Sequence, residues 1–128
     1  HVCKNQIKKG VSGIREAIKY VKNNHSIALM IDQRVSEGKS LPFFNPQALT
    51  TTLPAQLSLR FNCDIVPVFL QRIENDNFNI EFYDPISPNG RPNNEENKLE
   101  ITMNLNKILE TMILKNPDQW IWTHNRWK

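Results

Sequence analysis

A short run of apolar residues is the feature of this chain that most restricts its fold. Residues 26–31 read Ser-Ile-Ala-Leu-Met-Ile, and the nearly continuous apolar stretch Ile27–Ile31 is typical of a strand buried on both faces, as in a parallel sheet. An amphipathic helix precedes it between Ser12 and Asn23, with apolar residues at helical spacing. A helix, a short turn and a buried strand form the second half of a βαβ unit. We therefore predict an α/β fold with a mostly parallel sheet flanked by helices.

Polar residues follow this run directly. Asp32, Gln33 and Arg34 would stand at the carboxyl end of the strand, which is where open α/β sheets bind their ligands. Asp32 and Gln33 are therefore candidate site residues. For Asp32, an equally good interpretation is a cap of the following loop or helix.

The rest of the chain is predicted to contain two more helices, two more strands and several loops. Loop Gly38–Gln47 carries Phe43 and Phe44 at an apolar tip, and Asp84–Glu96 is a surface linker rich in Pro and Asn. The remaining predicted elements are a helix from Thr50–Thr52 to about Arg60, an antiparallel hairpin of strands Ile65–Leu70 and Phe78–Tyr83, a long helix from Asn94 or Glu95 to about Leu114, and the tail Pro117–Lys128, which holds all three tryptophans.

Composition excludes several classes of protein. No apolar run approaches the roughly 20 residues that cross a bilayer. Cys3 and Cys63 lack CxxC spacing, so they are interpreted as reduced cytosolic thiols rather than a zinc site. The net charge is only +3, but the segment Lys8–Lys22 is strongly basic, which suits an anionic membrane, an acidic protein or an ordinary solvated helix face. Nucleic acid is disfavoured, because the aromatic residues fall in predicted strands or beside the buried helix stripe.

Catalytic signatures with a defined mechanism are missing from the sequence. It contains no GxSxG nucleophile elbow, no P-loop and no HExxH. The residues alone therefore predict an α/β chain with one polar strand end, without a recognisable complete active site. No metal or cofactor is expected.

The order of these features resembles one known family. The features are the helix before Ile27–Ile31, the Asp32-Gln33 pair, the loop that ends in Pro-Phe-Phe, the Thr-rich helix start, the strand followed by Arg72, and the ending Pro-x-Gln-Trp-x-Trp-x-His-x-Arg-Trp at residues 117–127. Together they look like the C-terminal portion of the lipid A biosynthesis (lauroyl/myristoyl) acyltransferases, from about Ile7 to the last residue. The closing pattern is the most specific of these marks.

The resemblance implies a fold of the glycerolipid acyltransferase type with an N-terminal membrane anchor. It also implies transfer of a fatty acyl chain from acyl carrier protein to a hydroxyl of a lipid A precursor, at the cytoplasmic face of the bacterial inner membrane. In such enzymes a histidine acts as general base, followed after four intervening residues by Asp or Glu. Here His1 is followed at that spacing by Gln6 and His25 by Met30. We therefore expect residues 1–128 to be the C-terminal part of a single domain, inactive without the missing anchor and catalytic motif.

By the same resemblance, the remaining residues would support the site. Asp32 and Gln33 would line the cleft beside the catalytic pair, with Asp32 orienting a substrate or a basic side chain. Arg72 and Arg126 could meet phosphates of lipid A or of the carrier's prosthetic arm. Phe43 and Phe44 are candidates for the acyl channel or the membrane-facing rim, with core packing as the alternative.

Two other functions stay open at this point. The segment could be a noncatalytic α/β binding module on the membrane surface, or part of a related acyltransferase with a different glycolipid acceptor.

Overall fold

The structure is a computed structural model that describes residues 5–8 and 10–127 of the chain. Its secondary structure confirms a small α/β protein. Two short 3₁₀ turns, Glu74–Asp76 and Pro117–Gln119, accompany the regular elements. The regular elements are α1 (Val11–Lys22), β1 (Lys39–Pro42), β2 (Gln47–Thr50), α2 (Leu53–Phe61), β3 (Val68–Arg72), β4 (Phe78–Phe82) and α3 (Glu95–Lys115).

The three predicted helices are confirmed, and local chemistry explains their ends. Pro54 lies in the first turn of α2, where its missing N–H would have no partner anyway. Asn62 ends α2 in the left-handed conformation that asparagine tolerates. At the start of α3, the side chain of Asn94 accepts a hydrogen bond from the Asn97 N–H at 2.9 Å, which is a regular N-cap.

The expected mostly parallel sheet is not what the described residues form. They contain two separate two-stranded sheets, β1 with β2 and β3 with β4, and both are antiparallel. The predicted strand Ile27–Ile31 has no regular secondary structure, and the side chain of Met30 is 79% exposed. A buried parallel strand needs paired neighbours and cover on both faces, and no described segment pairs with these residues.

The prediction of an irregular loop over Gly38–Gln47 was also wrong. This stretch contributes β1 and the start of β2, joined by a turn in which the Phe43 N–H donates to the Pro46 carbonyl at 2.9 Å. Phe44 and Asn45 both take positive φ angles there, 51° and 73°. The two strands were not predicted because each has only four residues, and because the stretch contains two prolines together with polar and aromatic residues.

The hairpin that the sequence predicts is confirmed as β3 with β4, but its apolar face points to solvent. β3 begins after Pro67, as expected for a residue that cannot donate to the ladder. Phe78, Ile80 and Phe82 of β4 are 58%, 55% and 71% exposed. On the opposite face, Glu81 accepts from Lys115 of α3 at 2.9 Å. The hairpin therefore contacts Lys115 at the end of α3 through its more polar face.

Two hydrophobic clusters hold the chain together. The first joins α2 to α3 through Ala55, Leu59, Ile101 and Leu105. The second places the turn after β1 against the end of α3 and the tail, through Phe43, Ala48 and Ile113 packed on Phe44, Leu109, Trp120 and Trp127. No helix among the described residues is long and apolar enough to cross a membrane.

Gly38 lies in close contact with β2, and this contact makes a substitution costly. A Cβ added to Gly38 would lie 2.7 Å from the Thr50 carbonyl oxygen and 2.8 Å from the Thr50 nitrogen. Backbone atoms cannot move aside without disturbing the hairpin. We expect Gly38→Ala to lower the free energy of unfolding by roughly 1–3 kcal/mol, the usual cost of overpacking. Urea denaturation measures this, with Gly90→Asn as control, since a Cβ at Gly90 meets open space and asparagine tolerates its positive φ.

Candidate functional site

The carboxylate of Asp32 is held by a tryptophan from the other end of the chain. Its Oδ2 accepts a hydrogen bond from the Trp120 Nε1–H at 3.3 Å. Its Oδ1 is also buried, yet no group within the described residues donates to it. Buried carboxylate oxygens are normally satisfied, so Asp32 keeps one acceptor position open.

Arg126 is fully buried beside this carboxylate. One terminal nitrogen donates to the Leu49 carbonyl, and the other donates to the Thr50 Oγ1 at 2.9 Å. The guanidinium carbon lies 5.0 Å from the centre of the Phe43 ring, within cation–π range. Burial lowers the pKa of Arg126, and the negative charge of Asp32 acts in the opposite direction. The structure therefore brings Asp32 and Arg126, two predicted site residues, into one electrostatic environment.

The Arg126 Nε–H is a second buried polar group that has no partner among the residues described. The Asp32 Oδ1 and the Asn106 Oδ1 are buried acceptors that likewise have no partner there, and the Asn106 side chain donates to the same Thr50 hydroxyl as Arg126. A water or a ligand hydroxyl supplies both a donor and an acceptor, and such groups commonly complete buried polar sites.

Residues 117–127, which we call the C-terminal tail, also contact the part of the chain that follows Asp32. The Arg34 N–H donates to His124 Nε2 at 3.1 Å, so this nitrogen is the unprotonated one. Further along, the Trp127 Nε1–H donates to the Phe43 carbonyl at 3.0 Å. The tail therefore contacts Asp32 and two positions that follow it, Arg34 and Phe43.

The two candidate acyl-channel residues have different environments. Phe43 is 0% exposed and makes ring contacts with Phe44, Trp120 and Trp127 at 5.0 to 6.0 Å. Phe44 is half-buried, and its N–H donates to Glu110 Oε1 at 2.8 Å. This environment favours the core-packing interpretation for Phe43, while the channel role of Phe44 stays a prediction.

The other two predicted site residues lie at the edge of this region. Arg72 is exposed, and its guanidinium pairs with Asp76 in the adjacent turn. Its backbone forms two hydrogen bonds with the Gln119 side chain, both 2.8 Å long. Gln119 is the residue before Trp120, so Arg72 contacts the tail next to the residue that binds Asp32. Gln33 is half-buried next to Asp32. Phosphate binding by Arg72 and cleft lining by Gln33 stay predictions.

Sequence reasoning missed the roles of Trp120 and His124. All three tryptophans were placed in the tail from the sequence, without a partner assigned to any of them. A buried indole N–H requires an acceptor, however, and that rule was the available signal that Trp120 would bind a polar group. The acceptor itself lies 88 residues away, beyond the reach of local patterns. Within the described ranges, no three His, Cys, Asp or Glu side chains form a group that could hold a metal ion.

Comparison with protein-family models gives a match over nearly the whole chain. A family model described as bacterial lipid A biosynthesis acyltransferase matches residues 4–128, which is nearly the whole chain. A search of curated proteins gives no match.

Proposed function

Because the chain belongs to the bacterial lipid A biosynthesis acyltransferase family, we propose that it forms part of an enzyme that moves a fatty acyl chain from acyl carrier protein to a hydroxyl of a lipid A precursor. The family supports an acyl donor and a lipid A acceptor in general. We propose in addition that the acyl donor is acyl carrier protein. In this reaction the acceptor oxygen attacks the thioester carbonyl, the carbon–sulfur bond breaks, and the acceptor proton passes to a base.

The open acceptor position of Asp32 is the observation that supports a role of this chain in acyl transfer. Its carboxylate is fixed through Oδ2 by Trp120, while Oδ1 remains available in a buried setting. A fixed, desolvated acceptor can orient a hydroxyl or a basic side chain at little entropic cost. We assign Asp32 this orienting role, with Gln33 beside it.

We propose that the general base comes from another part of the protein. The 128 residues contain no histidine followed at the required spacing by Asp or Glu. The described region also places His124 Nε2 in a hydrogen bond with the Arg34 N–H, which occupies the lone pair that a base would use. His124 therefore has a structural contact instead of a free basic nitrogen.

We further propose that the enzyme acts at the cytoplasmic face of the inner membrane. The support is the charge of α1, where Arg15, Lys19 and Lys22 are exposed against Glu16 as the acidic residue. Each basic residue near an anionic membrane contributes about 1 kcal/mol of attraction. The same surface suits the acidic acyl carrier protein.

Replacing Asp32 by asparagine tests the proposal. Asparagine keeps the shape but turns one acceptor into a donor, so it cannot orient the same partner. We expect kcat/KM for acyl transfer from acyl carrier protein to a Kdo-bearing lipid A precursor to fall about 100-fold, a usual cost of misplaced reacting groups. The assay uses membranes that contain the full-length protein.

The matched control is Asp84→Asn, a carboxylate removed from an exposed loop position, which should leave kcat/KM unchanged. If wild-type membranes transfer no acyl chain beyond the background of cells lacking the protein, the proposed function is wrong. If the wild type is active and Asp32→Asn matches it, the role of Asp32 is wrong.

A further inference from the structure

We infer that the C-terminal tail is a positioning device for Asp32, and that Trp120 is a positioning residue for acyl transfer because it fixes the Asp32 carboxylate. This inference rests on the proposed function and extends it to residues that touch neither substrate. It assigns to the tail a role in the reaction, in addition to the packing that tryptophans normally provide.

The first argument is the absence of sheet support for Asp32. In an open α/β sheet, hydrogen bonds between strands fix the strand ends that carry site residues. Residues 27–31 pair with no strand in the described part of the chain. Another restraint must therefore hold the carboxylate that follows them, and the hydrogen bond from Trp120 is a direct candidate.

The second argument is the rigidity of the Trp120 ring. Three aromatic rings contact it edge to face, namely Trp122 at 4.6 Å, Phe43 at 6.0 Å and Trp127 at 6.0 Å between ring centres. Indoles packed in this way lose their rotamer freedom when the core forms. The direction of the Nε1–H is therefore set by packing, independently of Asp32.

The third argument is the anchoring of the tail itself. Besides Trp120, the tail is tied to Arg34 through His124, to Leu49 and Thr50 through Arg126, and to the Phe43 carbonyl through Trp127. These ties all follow Asp32 along the chain, at residues 34, 43, 49 and 50. The tail cannot move away from the residues that follow Asp32 without breaking several of them.

The fourth argument concerns the two oxygens of the carboxylate. Because Oδ2 accepts from Trp120, Oδ1 is the oxygen left for a reacting partner. Without the indole N–H the carboxylate can rotate, and either oxygen can take either position. The orientation of the open acceptor would then be lost, although the core around it would remain.

The test compares Trp120→Phe with Phe82→Leu, which replaces an aromatic ring outside the tail. Trp120→Phe removes the indole N–H but keeps an aromatic ring, and the Phe82 ring is 71% exposed. We expect Trp120→Phe to lower kcat roughly tenfold, because it removes a hydrogen bond to a charged group and so frees the carboxylate to rotate. KM for the acyl donor should stay unchanged, and Phe82→Leu should stay within about twofold of wild type.

A double-mutant cycle separates positioning from general destabilisation. If Trp120 acts through Asp32, the variant carrying both Asp32→Asn and Trp120→Phe should be no slower than Asp32→Asn alone. The indole NMR signals report on the hydrogen bond between Trp120 and Asp32 independently of the acyl-transfer rate. Asp32→Asn should move the Nε1–H resonance of Trp120 and leave that of Trp122 in place.

The outcomes are distinct. Multiplicative rate losses in the cycle, or equal losses for Trp120→Phe and Phe82→Leu, overturn the positioning role while the proposed function stands. A wild-type protein that transfers no acyl chain overturns both, and the indole resonance then reports only whether the contact with Asp32 exists. A fall in kcat confined to Trp120→Phe, absent in the Asp32→Asn background, supports the inference.

Discussion

Replacing Arg126 with alanine is expected to lower the free energy of unfolding by about 3–5 kcal/mol, the range for removing one partner of a buried polar network. The side chain is 0% exposed, and its guanidinium donates to the Leu49 carbonyl and the Thr50 hydroxyl. Alanine would leave these acceptors with only their longer contacts, from the Val35 N–H and the Asn106 side chain, both at 3.4 Å. It would also open a cavity against the Phe43 ring. Urea denaturation followed by tryptophan fluorescence measures the change.

Two further variants give this experiment its controls. Arg15→Ala removes an exposed guanidinium from α1 and should change stability by less than about 0.5 kcal/mol. Arg126→Lys keeps the charge but lacks the planar fork that serves two acceptors at once, so it should fall between wild type and alanine. Equal stability of the wild type and Arg126→Ala would contradict the buried position of this side chain.

The buried position of Arg126 also bears on its hypothetical phosphate contact. A phosphate would need access to the guanidinium, but the terminal nitrogens already donate to β2. For such a ligand to bind them, the tail would have to separate from Leu49 and Thr50. Arg72, with its side chain 63% exposed, is more accessible to a phosphate group.

The helices could be predicted from the sequence because their signals are local. The apolar spacing in α1, the Pro in the first turn of α2 and the Asn94 cap of α3 all act within a few residues. Strand pairing depends on distant partners, so Ile27–Ile31 was assigned to a parallel sheet from composition alone. The four-residue strands β1 and β2 were missed for the same reason, because their pairing defines them more than their residue types do.

The sequence pointed to Asp32 and to the tail separately, as a candidate site residue and as a family pattern. Asp32 was identified by its position after an apolar run, and the closing tail pattern identified the family, which the family match confirms. The contact between them was not predictable, since hydrogen bonds that join residues 88 positions apart leave no periodic trace in one sequence. The sequence pattern of the tail was therefore enough to predict the family, but the hydrogen bond between the tail and Asp32 could be found only in the structure.

Phe43 is the position where the core and the acyl-channel hypotheses predict different results. The ring is 0% exposed and contacts Phe44, Trp120, Trp127 and the Arg126 guanidinium. We expect Phe43→Ala to lower the free energy of unfolding by about 3–5 kcal/mol, through lost burial and the cavity left behind. Urea denaturation tests this, with Phe82→Ala as control, because that ring is 71% exposed and its removal should cost about 0.5 kcal/mol or less.

Phe43→Leu separates the two hypotheses for function. Leucine keeps most of the apolar volume, so the core interpretation predicts a stability loss of about 1 kcal/mol and an unchanged preference among acyl donors of different chain length. A channel wall would behave differently, since a smaller side chain lengthens the space available to the acyl tail and shifts the preference toward longer chains. The measurement is the ratio of kcat/KM for two acyl carrier protein thioesters that differ by two methylenes. An equal ratio in the wild type and Phe43→Leu assigns the ring to the core, because one or two methylenes in an apolar pocket change kcat/KM by at least about tenfold.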